Sequence, residues 1–150
     1  MSTDRPGVVE LAVHECLGLL RTTTVGRLAI AGADHPELFP INYVVDHGTV
    51  VFRTAPGTKL AGLTAHHNVT FEADAYDAAA GEAWSVIIKG GAVPIASIHE
   101  RVESLDLPLF PWHNSPKPHF VRIEPVEITG RRFCVTIPDV ETPPPRAADE

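Results

Sequence analysis

The stretch at residues 49–60 reads TVVFRTAPGTKL. Its first half, Thr49 to Thr54, is rich in β-branched residues and predicts a strand. Pro56 and Gly57 break that strand, and Leu60 and Leu63 then fall on one face of a short helix. The segment therefore predicts a strand that ends in a turn and opens a helix.

Cations and hydroxyl groups surround this turn. Arg53 and Lys59 bring two positive charges, and Thr54 and Thr58 bring two hydroxyls. Because a helix N-terminus presents unpaired backbone N–H groups, the turn is suited to a phosphate that an arginine clamps through two hydrogen bonds. An ordinary strand-to-helix turn with solvated cations is the alternative, and the spacing alone leaves both interpretations open.

Further strands are predicted on both sides of this segment, at residues 24–30, 38–45, 69–76, 83–95, 119–123 and 128–135. Gly90-Gly91 indicates a bulge that lets the sheet curl. Helices are predicted at residues 8–21, at about 60–66 and at 97–105. Because strands outnumber helices and hairpins connect them, the predicted fold is mainly β with flanking helices, an antiparallel barrel.

Composition places the chain in the class of soluble single domains. Of its 150 residues, 44% are hydrophobic and 21% are charged, which fits one domain. We assign that domain to residues 1–142, because the tail at 143–150, PPPRAADE, is too polar and proline-rich to pack and predicts disorder. The sequence shows no signal-peptide pattern and no membrane-length apolar run, so we expect a cytoplasmic protein that does not contact a membrane.

The charged and metal-ligating residues exclude further functions. A net charge of −7 argues against nucleic acid as a partner. The histidines form no metal-ligand set, and we predict no metal site. Cys16 and Cys134 lie in apolar stretches and predict small buried residues. No dedicated acid or base is evident; His119 or Tyr43 could supply a proton, although either type is more often structural, so the catalytic residues stay unassigned.

The order and spacing of these segments resemble the pyridoxamine 5'-phosphate oxidase-like family of split barrels, which bind FMN or a deazaflavin coenzyme. The resemblance covers about residues 8–135. It rests on ECL at 15–17, VGRLA at 25–29, FPINYVV at 39–45, VFRT at 51–54, GTKL at 57–60, WSV at 84–86 and PHFVRI at 118–123. It implies an antiparallel split β-barrel that works as a homodimer.

The resemblance also implies the residues that contact the cofactor. In such proteins the strand matching 40–43 runs beside the flavin ring, the turn holds the phosphate, the residue matching Ser85 faces the ring or ribityl chain, and the residues matching Trp112 and Arg122 reach it from the partner subunit. Trp84 and Trp112 could instead be core or interface anchors, and Arg122 could balance Glu124. The implied set is Pro40, Ile41, Asn42, Tyr43, Arg53, Thr54, Thr58, Lys59, Leu60, Trp84, Ser85, Trp112 and Arg122.

The sequence departs from the vitamin oxidases where those enzymes grip their substrate. The arginine–histidine pair before the last strand appears here only as Pro118-His119, so true pyridoxamine phosphate oxidase activity is not expected. The resemblance implies instead a flavin- or deazaflavin-dependent oxidoreductase that passes a hydride to a small organic acceptor. The alternatives are a non-catalytic flavin- or haem-binding split barrel and a barrel that has lost its cofactor.

Overall fold

The computed structural model describes residues 7–54, 57, 62–63, 67–95 and 119–135. The elements within these ranges are one helix and seven strands. In chain order they are β1 (Val8–Glu10), α1 (Val13–Leu20), β2 (Val25–Ile30), β3 (Glu37–Asp46), β4 (Thr49–Thr54), β5 (Asn68–Asp77), β6 (Glu82–Pro94) and β7 (His119–Cys134).

The strands form a closed antiparallel barrel. Their order is β7-β4-β3-β2-β5-β6, and β6 pairs with β7 to close the ring, while β1 adds to the end of β7 from outside. Residues alternate between the barrel interior and its outer face, and the interior side chains Leu28, Phe52, Phe71 and Ile88 have no exposed surface. The predicted antiparallel split barrel is confirmed.

The structure defines the β3–β4 turn and confirms the predicted bulge. His47 and Gly48 form the two-residue turn between β3 and β4, and both have positive φ, 48° and 75°, as a type I′ hairpin turn requires. The predicted bulge occurs where the β6–β7 register shifts between Lys89 and Gly90, and the extra residue is Val126 on β7. The approach is close, because a Cβ on Gly90 would overlap the Glu124 carbonyl.

The structure corrects three expectations. Residues Val8–Glu10 form β1 rather than the first turn of the helix, which begins at Val13. The last two predicted strands are one strand, β7, because Pro125 sits at the bulge, where the lost N–H is tolerated. Cys16 is fully buried as predicted, whereas Cys134 is exposed.

Other predictions fall on parts of the chain that the structure does not cover. Residues 62 and 63 are helical, but the rest of the predicted helix at about 60–66 lies outside the described residues. The helix predicted at 97–105 and the tail at 143–150 lie outside them too.

Within the described ranges, no helix has the length and apolar character needed to cross a membrane.

The site depends on a change of partner along β3. Its first part, from Glu37 to Asn42, pairs with β2, and its second part, from Tyr43 to Asp46, pairs with β4. The β2 and β4 registers therefore meet at Asn42 and Tyr43, close to the end of β4.

Candidate functional site

Six side chains on the outer side of β3, β4 and β7 form what we call the arginine face, in which Val51 and Phe120 are buried, at 0% and 6% exposed. Strand alternation directs them outward, away from the buried Tyr43, Phe52 and Val121. Continuing the β3–β4 register one residue past Tyr43 and Phe52 brings Asn42 opposite Arg53. The members of the arginine face are Asn42, Val44, Val51, Arg53, Phe120 and Arg122.

Arg53 is supported by an aromatic ring on this face. Its guanidinium carbon lies over the Phe120 ring, 5.1 Å from the centroid. Phe120 is itself held in a buried apolar cluster with Val51 and Ile95. A guanidinium within about 6 Å of an aromatic centroid is attracted to the ring, which holds Arg53 against this cluster. Arg53 is thus a half-buried cation packed on Phe120, at the end of β4 that leads into the predicted phosphate turn.

Arg122 is engaged within its own subunit. Its Nη1 donates hydrogen bonds to Asp46 Oδ2 at 3.0 Å and to Thr49 Oγ1 at 2.6 Å. These bonds fix β7 to the turn between β3 and β4. The Asp46 carboxylate, rather than Glu124, offsets the Arg122 charge, so Arg122 has a structural partner besides any role toward a bound ligand.

The residues of β3 that were predicted to line the ring divide between two faces. Pro40 is exposed and Asn42 is half-buried on the outer side, whereas Ile41 and Tyr43 are 3% and 2% exposed in the core. The Tyr43 hydroxyl donates to the Leu20 carbonyl at 2.7 Å and also hydrogen-bonds Thr23. Burial raises the pKa of Tyr43. The hydroxyl therefore ties α1 to β3, and the side chains of Ile41 and Tyr43 belong to the core rather than to the outer face.

Thr54 lies on the opposite side of β4 from Arg53. It is 3% exposed and pairs with His119. The described part of the chain therefore does not bring the Thr54 hydroxyl to the Arg53 guanidinium. Thr58, Lys59, Leu60 and Trp112 lie outside the described residues.

Trp84 and Ser85 on β6 also point to different sides. Trp84 packs against the main core, as the alternative interpretation of this residue held. Ser85 faces outward and lines a cleft of about 390 Å³ with Ile87 and Arg131. By the strand registers Ser85 lies in the same cross-strand row as Asn42, three strands away, or roughly 14 Å at the usual strand spacing. One subunit therefore does not bring Ser85 into contact with Asn42 or Arg53.

The fold and the sequence together identify the family. The family model described as pyridoxamine 5'-phosphate oxidase matches residues 12–132. The chain belongs to the pyridoxamine 5'-phosphate oxidase family.

Two solved structures and one further protein are similar to most of the chain. A putative pyridoxamine 5'-phosphate oxidase from Corynebacterium glutamicum is 36% identical, with a TM-score of 0.81 over 89% of this chain and 98% of that one. A FAD binding protein from Mycobacterium smegmatis is 39% identical, with a TM-score of 0.72, and the match covers 84% of this chain and 98% of that one. An uncharacterized protein of Mycobacterium tuberculosis is 33% identical over 91% of this chain and 90% of its own length.

Sequence reasoning missed several residues that shape this family site. Phe120, Asp46 and Thr49 were not singled out, although the outward alternation of Phe120 and Arg122 was a signal for a shared face. It also missed that Arg27 on β2 meets two carboxylates on β5. Only the strand pairing, which no local pattern specifies, brings these groups together.

Proposed function

We propose that the arginine face of this chain binds a phosphorylated flavin or deazaflavin coenzyme in a homodimer and uses it to reduce a small organic acceptor. The observation that carries the proposal is the position of Arg53. Its guanidinium lies over the Phe120 ring, one residue beyond the last β3–β4 pair, Tyr43 with Phe52. An anion held by a guanidinium at this place leaves an attached ring lying along β3.

The residues present fit such a coenzyme. Arg53 offers planar donors suited to two phosphate oxygens. Asn42 carries both a donor and an acceptor for the polar edge of a ring. Thr58, Lys59 and Leu60 follow along the predicted phosphate turn, whereas the Thr54 side chain is buried on the other side of β4 from Arg53. A relative at 39% identity is a FAD binding protein, which supports a flavin and adds FAD to FMN and deazaflavin as coenzymes to test.

Each part of the face has its own task in this proposal. The coenzyme, when bound and reduced, supplies the hydride. Arg53 fixes the anion, Asn42 orients the ring, and the partly buried apolar Val44 excludes water beside them. A barrel this small leaves part of a flavin exposed to solvent, so we expect a second subunit to cover it and Trp112 to belong to that cover.

The experiment is a binding titration followed by turnover. Purified protein is titrated with FMN, FAD and the deazaflavin coenzyme, while sedimentation measures its oligomeric state. Micromolar or tighter binding of at least one coenzyme by a dimer supports the proposal. Failure to bind any of the three at micromolar concentration overturns it.

Turnover separates an enzyme from a non-catalytic binding protein. The loaded protein is supplied with reduced coenzyme and a panel of quinone, nitro and enone acceptors. Acceptor-dependent oxidation that saturates indicates an oxidoreductase, whereas saturable coenzyme binding with no turnover on any acceptor indicates a flavin carrier or sensor. Haemin is titrated in parallel, and a haem spectrum without flavin binding would favour the haem-binding alternative.

A further inference from the structure

The cleft of about 390 Å³ that Ser85 lines opens where β7 lacks a strand neighbour on one side. β1 pairs with β7 only at residues 131–133, and β4 pairs with it only at residues 119–123. Between these two segments β7 keeps β6 on one side and has no strand on the other among the described residues. We call this opening the Arg131 cleft. Its outward-facing residues are Glu10, Ser85, Ile87, Thr129 and Arg131.

The polar groups of the Arg131 cleft lie on adjacent strands. Ser85 is directly opposite Arg131, and the next outward pair is Ile87 with Thr129. Directly opposite residues have Cβ atoms about 4.5–5.5 Å apart. One guanidinium and two hydroxyl groups therefore share a small patch with the Ile87 side chain, which is 37% exposed.

The Arg131 guanidinium is not committed to an anion within the described part of the chain. The ion pairs and hydrogen bonds of that part do not include it. Glu10 is directly opposite Arg131 on β1, but the two side chains do not form an ion pair. Arg122 on the same strand differs, because it is bonded to Asp46 and Thr49. The planar N–H donors of Arg131 are thus available to a ligand carboxylate.

Apolar side chains form the remaining wall of the Arg131 cleft. Leu11 and Ile128 pack against the main core and line the cleft with Ile87. Its volume is in the range of small-molecule sites, which combine apolar walls with a few polar groups. One available guanidinium favours a ligand with one negative charge, and the carboxylate of Glu10 at the rim disfavours a second one.

The Arg131 cleft is separate from the arginine face within one subunit. Arg131 lies nine residues beyond Arg122 on β7, which is up to roughly 30 Å of extended strand. Ser85 is three strands away from Asn42. One subunit therefore has room for a ligand in the cleft and for another on the arginine face.

We propose that the Arg131 cleft binds a small organic monocarboxylate with an apolar body. Arg131 and the Ser85 hydroxyl donate hydrogen bonds to the carboxylate oxygens, and the apolar part of the ligand lies against Ile87. This site goes beyond the proposed function and does not depend on coenzyme binding. It gives Ser85 a role toward a carboxylate, in place of the flavin ring or ribityl chain that the family resemblance implies.

The test is a calorimetric titration of the full-length protein with benzoate, with and without saturating FMN. Benzamide, which lacks the charge, and acetate, which lacks the apolar body, are the control ligands. We expect benzoate to bind with a Kd of about 1 mM or below and each control ligand to bind about 10-fold more weakly or worse. FMN should change the benzoate affinity less than threefold.

Three variants test the charges. Arg131→Met should weaken benzoate binding by about 10-fold or more, because it removes a charged hydrogen-bond donor. Glu10→Gln should strengthen binding by about twofold or more, because it removes a negative charge from the rim. The matched control is Lys89→Met, which removes a cation of the same outer face that lies outside the cleft and should leave the affinity within twofold.

Amide NMR of the wild-type protein locates benzoate without relying on a variant. Its shifts should centre on Ser85, Thr129 and Arg131. Shifts centred on Arg53, displacement of benzoate by FMN, or an affinity that Arg131→Met leaves unchanged would each overturn the inference.

Absence of benzoate binding also overturns it. If Arg131→Met then weakens self-association in sedimentation, the cleft belongs to an interface between two copies of the chain. A protein that binds benzoate at Arg131 but no coenzyme would leave this site standing and refute only the proposed function.

Discussion

Arg122 on β7 reaches across β4 and donates a hydrogen bond of 3.0 Å to Asp46 at the end of β3. The two side chains are 22% and 21% exposed. Thr49 accepts a second bond from the same nitrogen. Three strands are thereby fixed to one another beside the arginine face, and the β3–β4 turn is held in place by a residue 76 positions away in sequence.

Breaking this bond should destabilise the fold. We expect Arg122→Met to lower the free energy of unfolding by about 1–3 kcal/mol, because Asp46 loses a charged partner while largely shielded from water. A double-mutant cycle with Asp46→Asn, measured by urea denaturation, should give a coupling of about 1 kcal/mol or more. The matched control is the exposed Lys89–Glu127 pair at 3.9 Å, for which about 0–0.5 kcal/mol is expected. Equal coupling in the two cycles would contradict this account.

The Tyr43 hydroxyl should contribute to stability rather than to ligand binding. Tyr43→Phe removes the bonds to the Leu20 carbonyl and to Thr23 and should cost about 1–2 kcal/mol. FMN affinity should be unchanged, because the Tyr43 side chain is buried in the core. The control is Tyr76→Phe, at a position that is 50% exposed, where the change should stay below about 0.5 kcal/mol. A large loss of affinity with unchanged stability would show that the hydroxyl reaches the ligand.

Gly26 should tolerate no side chain. A Cβ there would overlap the Phe71 ring and lie 2.8 Å from the Glu72 carbonyl oxygen, so Gly26→Ala should lower stability by about 2–3 kcal/mol. Gly18 in α1 is the contrast, because its Cβ would meet nothing within 4 Å. Gly18→Ala should stabilise the protein by about 0.5–1 kcal/mol through helix propensity. Thermal and urea unfolding of both variants measure whether each substitution lowers or raises the stability of the protein.

Glu72 should make stability depend on pH in an unusual direction. Burial, reinforced by the neighbouring Asp74, raises its pKa from 4.5 to about 7 in the folded chain, so the native state holds more protons than the unfolded state between these values. Its contribution to stability is therefore present below pH 4.5 and is lost as pH rises through 7. Because the Glu72 side chain is partly exposed, solvent screening limits this contribution to about 1–2 kcal/mol.

Glu72→Gln removes this dependence. Relative to wild type, the variant should gain about 1–2 kcal/mol between pH 5 and pH 8, as followed by urea unfolding at each pH. Glu127→Gln should leave the wild-type dependence in place. Parallel stability curves for wild type and Glu72→Gln would contradict the raised pKa.

The strands could be predicted because their patterns are local. The β-branched run Thr49–Thr54 matches β4 at both ends, and the alternation around Phe71 gave β5 to within one residue at each end. The helix was placed too early, because Val9 and Val13 fit helical spacing although Val9 pairs with Arg132 as part of β1. Periodicity cannot distinguish a helical turn from a strand at these residues, because the strand forms only by pairing with β7, far along the chain.

The site was only partly predictable for the same reason. The arginine at the end of β4 and the asparagine on β3 carry the chemistry expected of a phosphate and ring site, and each follows directly on the last β3–β4 pair, Tyr43 with Phe52. Two further contacts depend on registers between distant segments, namely Arg27 with Glu72 and Arg122 with Asp46. The acidic pattern around Glu72 indicated only a wetter strand face until the neighbouring strand was known.

The affinity for FMN compared with riboflavin, in wild type and in Arg53→Met, is the most direct test of the anion site. The two ligands share the ring and ribityl chain and differ by the phosphate. Wild type should bind FMN more tightly than riboflavin. Arg53→Met should weaken FMN binding by about 10- to 150-fold, equivalent to about 1.5–3 kcal/mol. Its riboflavin affinity should stay within threefold of wild type. Lys89→Met, which removes a cation elsewhere on the outer face, should keep the wild-type preference. Equal loss for both ligands, or no preference for FMN in wild type, would contradict an anion site at Arg53.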